Sequence, residues 1–239
     1  MKTDAPKKVA LITGANGGLG RALVNEFVAH GWHVVAGARA PVPSSHPQIV
    51  PVPLDVTNPE QIDQAIATTV ERFQRLDLLI NNAGLTADAP LAQLSEDDWD
   101  RVLDVNLNGA FRCARAAARQ MMRQRDGHII NISSFAARGG RAGQSSYVAA
   151  KAGLVGLTQS LAKELGSRNV RVNTIFPGVL PTNMTAQLSA EQLTAFAEAN
   201  ALGRINSVEE VARFIAFLAT TQNISGQVFA LDSRMAPWT

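Results

Sequence analysis

The chain has 239 residues, 46% of them hydrophobic and 18% charged, with a formal net charge of +2. That is enough apolar material for one well-filled α/β core. The nearly neutral balance gives no case for nucleic acid or a membrane surface as a partner. No run approaches the roughly 18 apolar residues that a membrane helix needs.

Cys113 is the one cysteine, which excludes an internal disulfide framework and suits a reducing, cytoplasmic setting. Its helical surroundings mark it as a small core residue. Residues 1–8 are polar and lack the apolar segment of a signal peptide. His30, His33, His46 and His128 share no metal-ligand spacing with one another or with Cys113, so no metal site is expected.

Residues 8–13 are a short apolar run of the kind buried in a parallel sheet. It leads into Gly14-Ala15-Asn16-Gly17-Gly18-Leu19-Gly20, after which an amphipathic helix is expected over 21–30, stopped by Gly31. Strand, glycine turn and helix in that order make a dinucleotide site. Glycines let backbone N–H groups approach a phosphate, and the helix N-terminus attracts its charge. The second strand, 34–38, is followed by Arg39, with no carboxylate until Asp55. An acid there would accept from the ribose 2′-hydroxyl of NAD, whereas a cation suits a 2′-phosphate. NADP(H) is therefore the expected cofactor.

Residues 40–47 read as a Pro/Ser-rich surface loop, and the strand at 49–54, interrupted by Pro51 and Pro53, reads as an edge. Asp55 and Val56 then fall beside the adenine. Thr57 or Asn58 caps a helix over 59–73. A strand over 76–80 ends in Asn81-Asn82-Ala83-Gly84, whose small residues let the backbone pass close to a cofactor. One long helix is expected from a Ser95 cap to about 125. Asn106 stands in it amid Val102, Leu103, Val105 and Leu107, as a satisfied structural group or as part of a kink and proton relay. Ile129-Ile130-Asn131-Ile132 is a further strand, and 170–176 another, ending at Pro177-Gly178. Weakly patterned residues at about 179–205 are a candidate lid, and a helix capped by Ser207 and a strand over 226–231 close the chain. The alternation of strand and helix implies the α/β class: a single Rossmann-like doubly wound domain over 1–239, with a seven-stranded parallel sheet and helices on both faces.

The chemistry concentrates after the fifth strand. Ser133-Ser134 precede a Gly-rich loop, and Tyr147, the one tyrosine, stands four residues before Lys151 in a helical pattern. Residues i and i+4 share a helix face. A free phenol has a pKa of about 10, and a nearby ammonium lowers it toward the working range. Lys151, helped by an oxidised nicotinamide ring, is expected to lower the Tyr147 pKa, and Ser134 to hold a carbonyl oxygen in the same pocket.

These motifs resemble the short-chain dehydrogenase/reductase family along the whole chain: Thr13-Gly14-x-x-x-Gly18-x-Gly20, Asp55, Asn81-Asn82-Ala83-Gly84, Asn106, Ser134, Tyr147-x-x-x-Lys151, and Pro177-Gly178 with Thr182. The resemblance implies Tyr147 as general acid in carbonyl reduction, Lys151 on the nicotinamide ribose, Ser134 orienting the carbonyl and Asn106 anchoring a proton relay. It also implies that Gly14, Asn16, Gly18, Leu19, Gly20, Arg39, Asp55, Val56, Asn82, Ala83, Gly84, Pro177, Gly178 and Thr182 border the cofactor. A homotetramer or homodimer is implied, packed through the helices at 95–125 and 146–165. Within the family the likeness is strongest to the bacterial 3-oxoacyl-acyl-carrier-protein reductases. Arg125 and Arg168 match their contacts with an acidic acyl carrier protein. The implied activity is NADPH-dependent reduction of a 3-oxoacyl thioester. Another small ketone, sugar or polyketide intermediate is the alternative, and a non-catalytic NADP-binding scaffold the third. The family's usual Asp-Gly-Gly is here Asp232-Ser233-Arg234.

Overall fold

The computed structural model describes residues 7–40 and 42–235. The expectations for most of the N-terminal stretch and for Pro41 in its loop lie outside these residues, as do the last four positions of the expected 1–239 domain. The core is one sheet of seven parallel strands in the order β3-β2-β1-β4-β5-β6-β7. The strands are β1 (Val9–Thr13), β2 (His33–Ala38), β3 (Ile49–Pro53), β4 (Leu78–Asn81), β5 (Gly127–Ile132), β6 (Val170–Phe176) and β7 (Val228–Ala230). The order runs outward from β1 in one direction and from β4 in the other. The crevice beyond the carboxyl ends of β1 and β4 is thus the place where such sheets bind ligands.

Alternate residues of the central strands face opposite sides, as pleating requires. Ala10 and Ile12 pack with helices α1 (Gly18–Ala29) and α8 (Val208–Leu218). Val9 and Leu11 belong to the opposite core, built with α2 (Pro59–Phe73), α4 (Gly109–Gln124) and α6 (Ser145–Leu165). Burial on both faces explains why the strands read as unbroken apolar runs. Asn58 caps α2 by accepting from Gln61 N–H at 3.0 Å, and Ser95 and Ser207 cap α3 (Glu96–Leu103) and α8 in the same way. Pro51 and Pro53 sit on the edge strand β3, where a missing N–H costs no ladder bond.

Four expectations are corrected. The helix starting at Ser95 is not uniform: α3 passes through a π turn, Asp104–Asn108, before α4 begins. The strand expected from residue 76 starts at Leu78, because Leu76 N–H is taken by Gln124 Oε1 at 3.0 Å and Asp77 turns its carboxylate to Val9 N–H at 2.8 Å. β7 is shorter than 226–231, since Gly226 adopts a positive φ of 74°. The weakly patterned segment contains a helix, α7 (Ala190–Glu198), started by a reciprocal Ser189–Gln192 capping box. A short turn of helix, α5 (Ala136–Gly139), also precedes α6.

Candidate active site

The glycine turn joins β1 to α1 at the centre of the crevice. Thr13 Oγ1 accepts from Asn82 N–H and Ala83 N–H, both at 3.0 Å, and the Asn82 amide donates to the carbonyls of Thr13 and Gly14 at 3.0 and 3.1 Å. The end of β4 thereby fixes the end of β1. A side-chain carbon on Gly20 would stand 2.2 Å from the Gly14 carbonyl oxygen, and one on Gly18 would stand 2.7 Å from the Thr182 methyl. The turn's own backbone fills the space at Gly20 and the Thr182 side chain that at Gly18, so only glycine fits. The turn thus brings backbone rather than side chains to the α1 N-terminus, as a pyrophosphate cradle requires. Leu19 is buried in the α1 core and anchors the turn from below. The Asn16 side-chain oxygen accepts from Arg21 Nη2 at 2.6 Å and Nε at 3.1 Å. This adds an arginine at the turn that the sequence argument had passed over.

At the adenosine end, Arg39 is exposed just past β2. Asp55 accepts from Thr57 N–H at 2.9 Å and from the Thr57 hydroxyl at 2.7 Å. The Thr57 backbone bond, seconded by the Thr57 hydroxyl and the Arg39 charge, holds the Asp55 carboxyl below its usual range. Val56 is buried against Gly109 at the start of α4.

The carboxyl ends of β4 and β5 bring the reactive side chains together. The Ser133 hydroxyl donates to the Lys151 carbonyl at 2.7 Å, pinning α6 to the sheet. Lys151 Nζ donates to the Ile132 carbonyl at 2.8 Å and stands 5.6 Å from the Tyr147 ring centroid, on the shared face that i,i+4 spacing implies. Burial pushes the Lys151 pKa down to about 8. Asn106 sits in the π turn, where the extra residue interrupts the i→i−4 ladder. Its amide donates to the carbonyls of Leu85 and Val102 at 2.8 and 2.9 Å, while its Oδ1 is buried without a partner. A side-chain carbon on Gly84 would lie 2.7 Å from that oxygen and 3.5 Å from Lys151 Nζ. Tyr147, Lys151, Gly84 and Asn106 therefore follow one another across the floor of the crevice.

The Tyr147 pKa moves opposite to expectation. Burial raises it, and the Ser134 hydrogen bond pulls it down. Asp88 raises it further and Arg141 lowers it. The protein's own groups thus leave the phenol above its usual value, because desolvation outweighs the favourable contacts. Asp88 and Arg141 were not singled out from the sequence. Gln144, buried, donates to Asp88 at 2.7 Å, and Arg141 lies 4.9 Å from the Phe196 ring centroid of α7.

Of two further groups, one borders the pocket and the other lies away from it. Pro177 and Gly178 follow β6; the Pro177 carbonyl accepts from the Asn206 amide at 3.2 Å, and Thr182 reaches Gly18. Arg125 and Arg168 are brought near each other, since Asn169 donates to the Arg125 carbonyl at 3.2 Å. They precede β5 and β6, whereas the reactive groups follow those strands. Six residues of strand put them about 20 Å from Tyr147 within one subunit.

Beneath the site runs a buried polar chain that the apolar look of β5 concealed. The Asn81 amide donates to Asn131 Oδ1 at 2.8 Å, Asn131 to the Thr158 hydroxyl at 2.9 Å, and the Thr174 hydroxyl to that of Thr158 at 2.7 Å. It locks α6 over β4, β5 and β6.

Among the described residues no group of side chains suits a metal ion, and no helix is long and apolar enough to cross a membrane. The family model for the short chain dehydrogenases matches residues 8–193. A 3-oxoacyl-[acyl-carrier-protein] reductase of Synechocystis is 41% identical, over 98% of this chain and 98% of its own. The Thermotoga maritima 3-oxoacyl-[acyl-carrier-protein] reductase FabG is 39% identical, over 94% of this chain and 96% of its own. The solved structure of ElxO with NADP bound superposes with a TM-score of 0.89 at 28% identity, covering 95% of this chain and 98% of that one. With a Rossmann-like parallel sheet, a glycine cradle at its switch point and these relatives along nearly its whole length, the chain belongs to the short-chain dehydrogenase family, as an NAD(P)-dependent oxidoreductase.

Proposed function

We propose that the protein is an NADPH-dependent carbonyl reductase whose substrate is a 3-oxoacyl thioester, carried by CoA or an acyl carrier protein and reduced to the 3-hydroxyacyl product. One observation carries the reading: Ser134, Tyr147, Lys151 and Asn106 converge beside a phosphate cradle. The thioester class is supported by relatives at 36–41% identity that bear that reductase name. The NADPH preference is supported by Arg39 past β2, with Arg21 near the turn.

The cofactor, when bound, supplies the hydride. The chain's residues handle everything else. Gly14, Asn16, Gly18, Leu19 and Gly20 hold the pyrophosphate; Arg39, Asp55 and Val56 border the adenosine. Asn82, Ala83, Gly84, Pro177, Gly178 and Thr182 line the path to the nicotinamide. Ser134 donates to the carbonyl oxygen as negative charge develops there. Tyr147 then gives that oxygen its phenolic proton, completing the secondary alcohol. Burial leaves this phenol protonated and ready to give its proton, while the Ser134 hydrogen bond favours the phenolate that results. Lys151, softened to about 8 by burial, is suited to pass a proton back to the phenolate, and the unpartnered Asn106 Oδ1 would anchor, as acceptor, a water that brings the replacement proton to Lys151 from solvent.

Arg125 and Arg168 would receive an acidic carrier. At about 20 Å from Tyr147, such a carrier would reach the site on a long flexible arm, or serve a neighbouring subunit of a homodimer or homotetramer.

The test is initial-rate oxidation of NADPH, then NADH, with acetoacetyl-CoA. NADPH-dependent turnover is expected. Silence with the cofactor bound would move the assignment to another small ketone. With carrier-bound substrate, charge reversal at Arg125 and Arg168 should abolish turnover while sparing acetoacetyl-CoA.

A further inference from the structure

Three consecutive residues near the end of the described chain each reach a different wall of the site. Asp232 lies against the loop after β6, so close that a side-chain carbon on Gly178 would meet its Cβ at 2.9 Å. Ser233 ties to the stretch after α7. Its carbonyl accepts from Ala201 N–H at 3.0 Å, its hydroxyl from Leu202 N–H at 3.1 Å, and its own N–H donates to Asn200 Oδ1 at 3.0 Å. Arg234 reaches Phe135: its guanidinium carbon stands 4.0 Å from that ring's centroid. Arg234 Nε donates to Asp232 Oδ2 at 2.6 Å, and Nη2 pairs with the same oxygen.

The Asp232 and Arg234 side chains keep only 4% and 14% exposure, so this pair is not a solvated surface bridge. A planar cation stacked on an aromatic face and paired with a carboxylate is fixed in orientation. What it fixes is next to the chemistry. Phe135 directly follows Ser134, whose hydroxyl accepts from Ala136 N–H at 3.2 Å and shares a hydrogen bond with Tyr147. A glycine at this place, the residue that the resemblance leads one to expect, would supply neither the stack nor the ion pair.

We propose that Arg234 is a positioning residue for Ser134: stacked on Phe135 and braced by Asp232, it holds the serine loop in register with the loop at Gly178. The proposal rests on the reading of Ser134 and Tyr147 given above. Ser233 adds the third tie, to the segment following α7, so that one short peptide sets the spacing of all three walls.

The test compares the full-length protein with Arg234→Ala, Arg234→Lys, Phe135→Leu and the Arg234→Ala/Phe135→Leu double variant, assayed with NADPH and acetoacetyl-CoA. Arg234→Ala should lower kcat about tenfold while NADPH affinity stays within about twofold. Arg234→Lys, which keeps a charge for Asp232 but not the planar stack on Phe135, should recover only part of that loss. The double variant should be no slower than the slower single one, because both act through the same contact. The basic limb of the kcat profile should also move to higher pH, since the Ser134 bond is the larger of the two contacts that lower the phenol pKa. An unchanged kcat and pH profile in Arg234→Ala would overturn the proposal, as would a fall in melting temperature with kcat intact. If Arg234→Ala does not fold, Arg234→Lys and Phe135→Leu carry the same comparison. Tyr147→Phe is the control. Should it retain turnover, the reading of the site fails; should it be inactive beside a fully active Arg234→Ala, only this inference fails.

Discussion

Lys151 and His128 show how differently two buried bases bear on this protein. Lys151 is a cation whose pKa burial pushes down to about 8, from 10.5, so it opposes folding at neutral pH. Lys151→Met should therefore raise the melting temperature while abolishing turnover, and a variant that is both inactive and less stable would contradict this. His128 lies in β5, its Nε2 accepting from the Asn173 amide at 2.8 Å, and burial drives its pKa down to about 3. Above about 6.5 both folded and unfolded forms are neutral and its stability contribution is fully present. As pH falls toward 3 the unfolded chain takes up the proton first, and about 1.4 kcal/mol is lost per unit. Urea unfolding should show about 2 kcal/mol less stability at pH 5 than at pH 7, with a flatter dependence in His128→Gln. The nearness of Tyr147 to Lys151 was legible, because four residues on a helix fix it. The direction of the Tyr147 shift was not, because desolvation and the Asp88 charge depend on what folds over the ring. Nor was the Asn81–Asn131–Thr158–Thr174 chain, whose members are far apart in sequence and lie in stretches otherwise apolar.

Elements were readable where local chemistry decides them. Asn58, Ser95 and Ser207 cap helices by side-chain bonds that need no tertiary partner, and two prolines mark β3 as an edge. α7 carried an equally local signal in its Ser189–Gln192 box, obscured by the weak apolar pattern downstream. The π turn was hidden, because one extra residue in a helix leaves no fixed composition. It turns the Asn106 amide to Leu85 and Val102, so the element and the site are coupled there. The glycine turn makes a sharper prediction. A methyl at residue 20 would collide with the Gly14 carbonyl 2.2 Å away, and backbone cannot yield cheaply. Gly20→Ala should weaken NADPH binding by at least about tenfold in a titration of cofactor fluorescence, and unchanged affinity would show that the turn is not the cradle.

At the scale of the molecule, the sheet order places every reactive group beyond the carboxyl ends of β1, β4, β5 and β6, while Arg125 and Arg168 lie at the other end. Cofactor binding should stabilise this whole sheet, by about 2.7 kcal/mol at a hundredfold excess over Kd. Arg39→Asp should lose that gain with NADPH more than with NADH, and an unchanged preference would mean that the 2′-phosphate is held elsewhere. The account rests above all on Tyr147 as the proton donor. Its most direct test is a single-turnover measurement with Tyr147→Phe, saturated with NADPH and given acetoacetyl-CoA, beside the wild type. The account predicts wild-type NADPH affinity with the rate of NADPH consumption reduced by 10² or more. Consumption at a near-normal rate in that variant would mean that the proton comes from another group, and the reading of this site would be wrong.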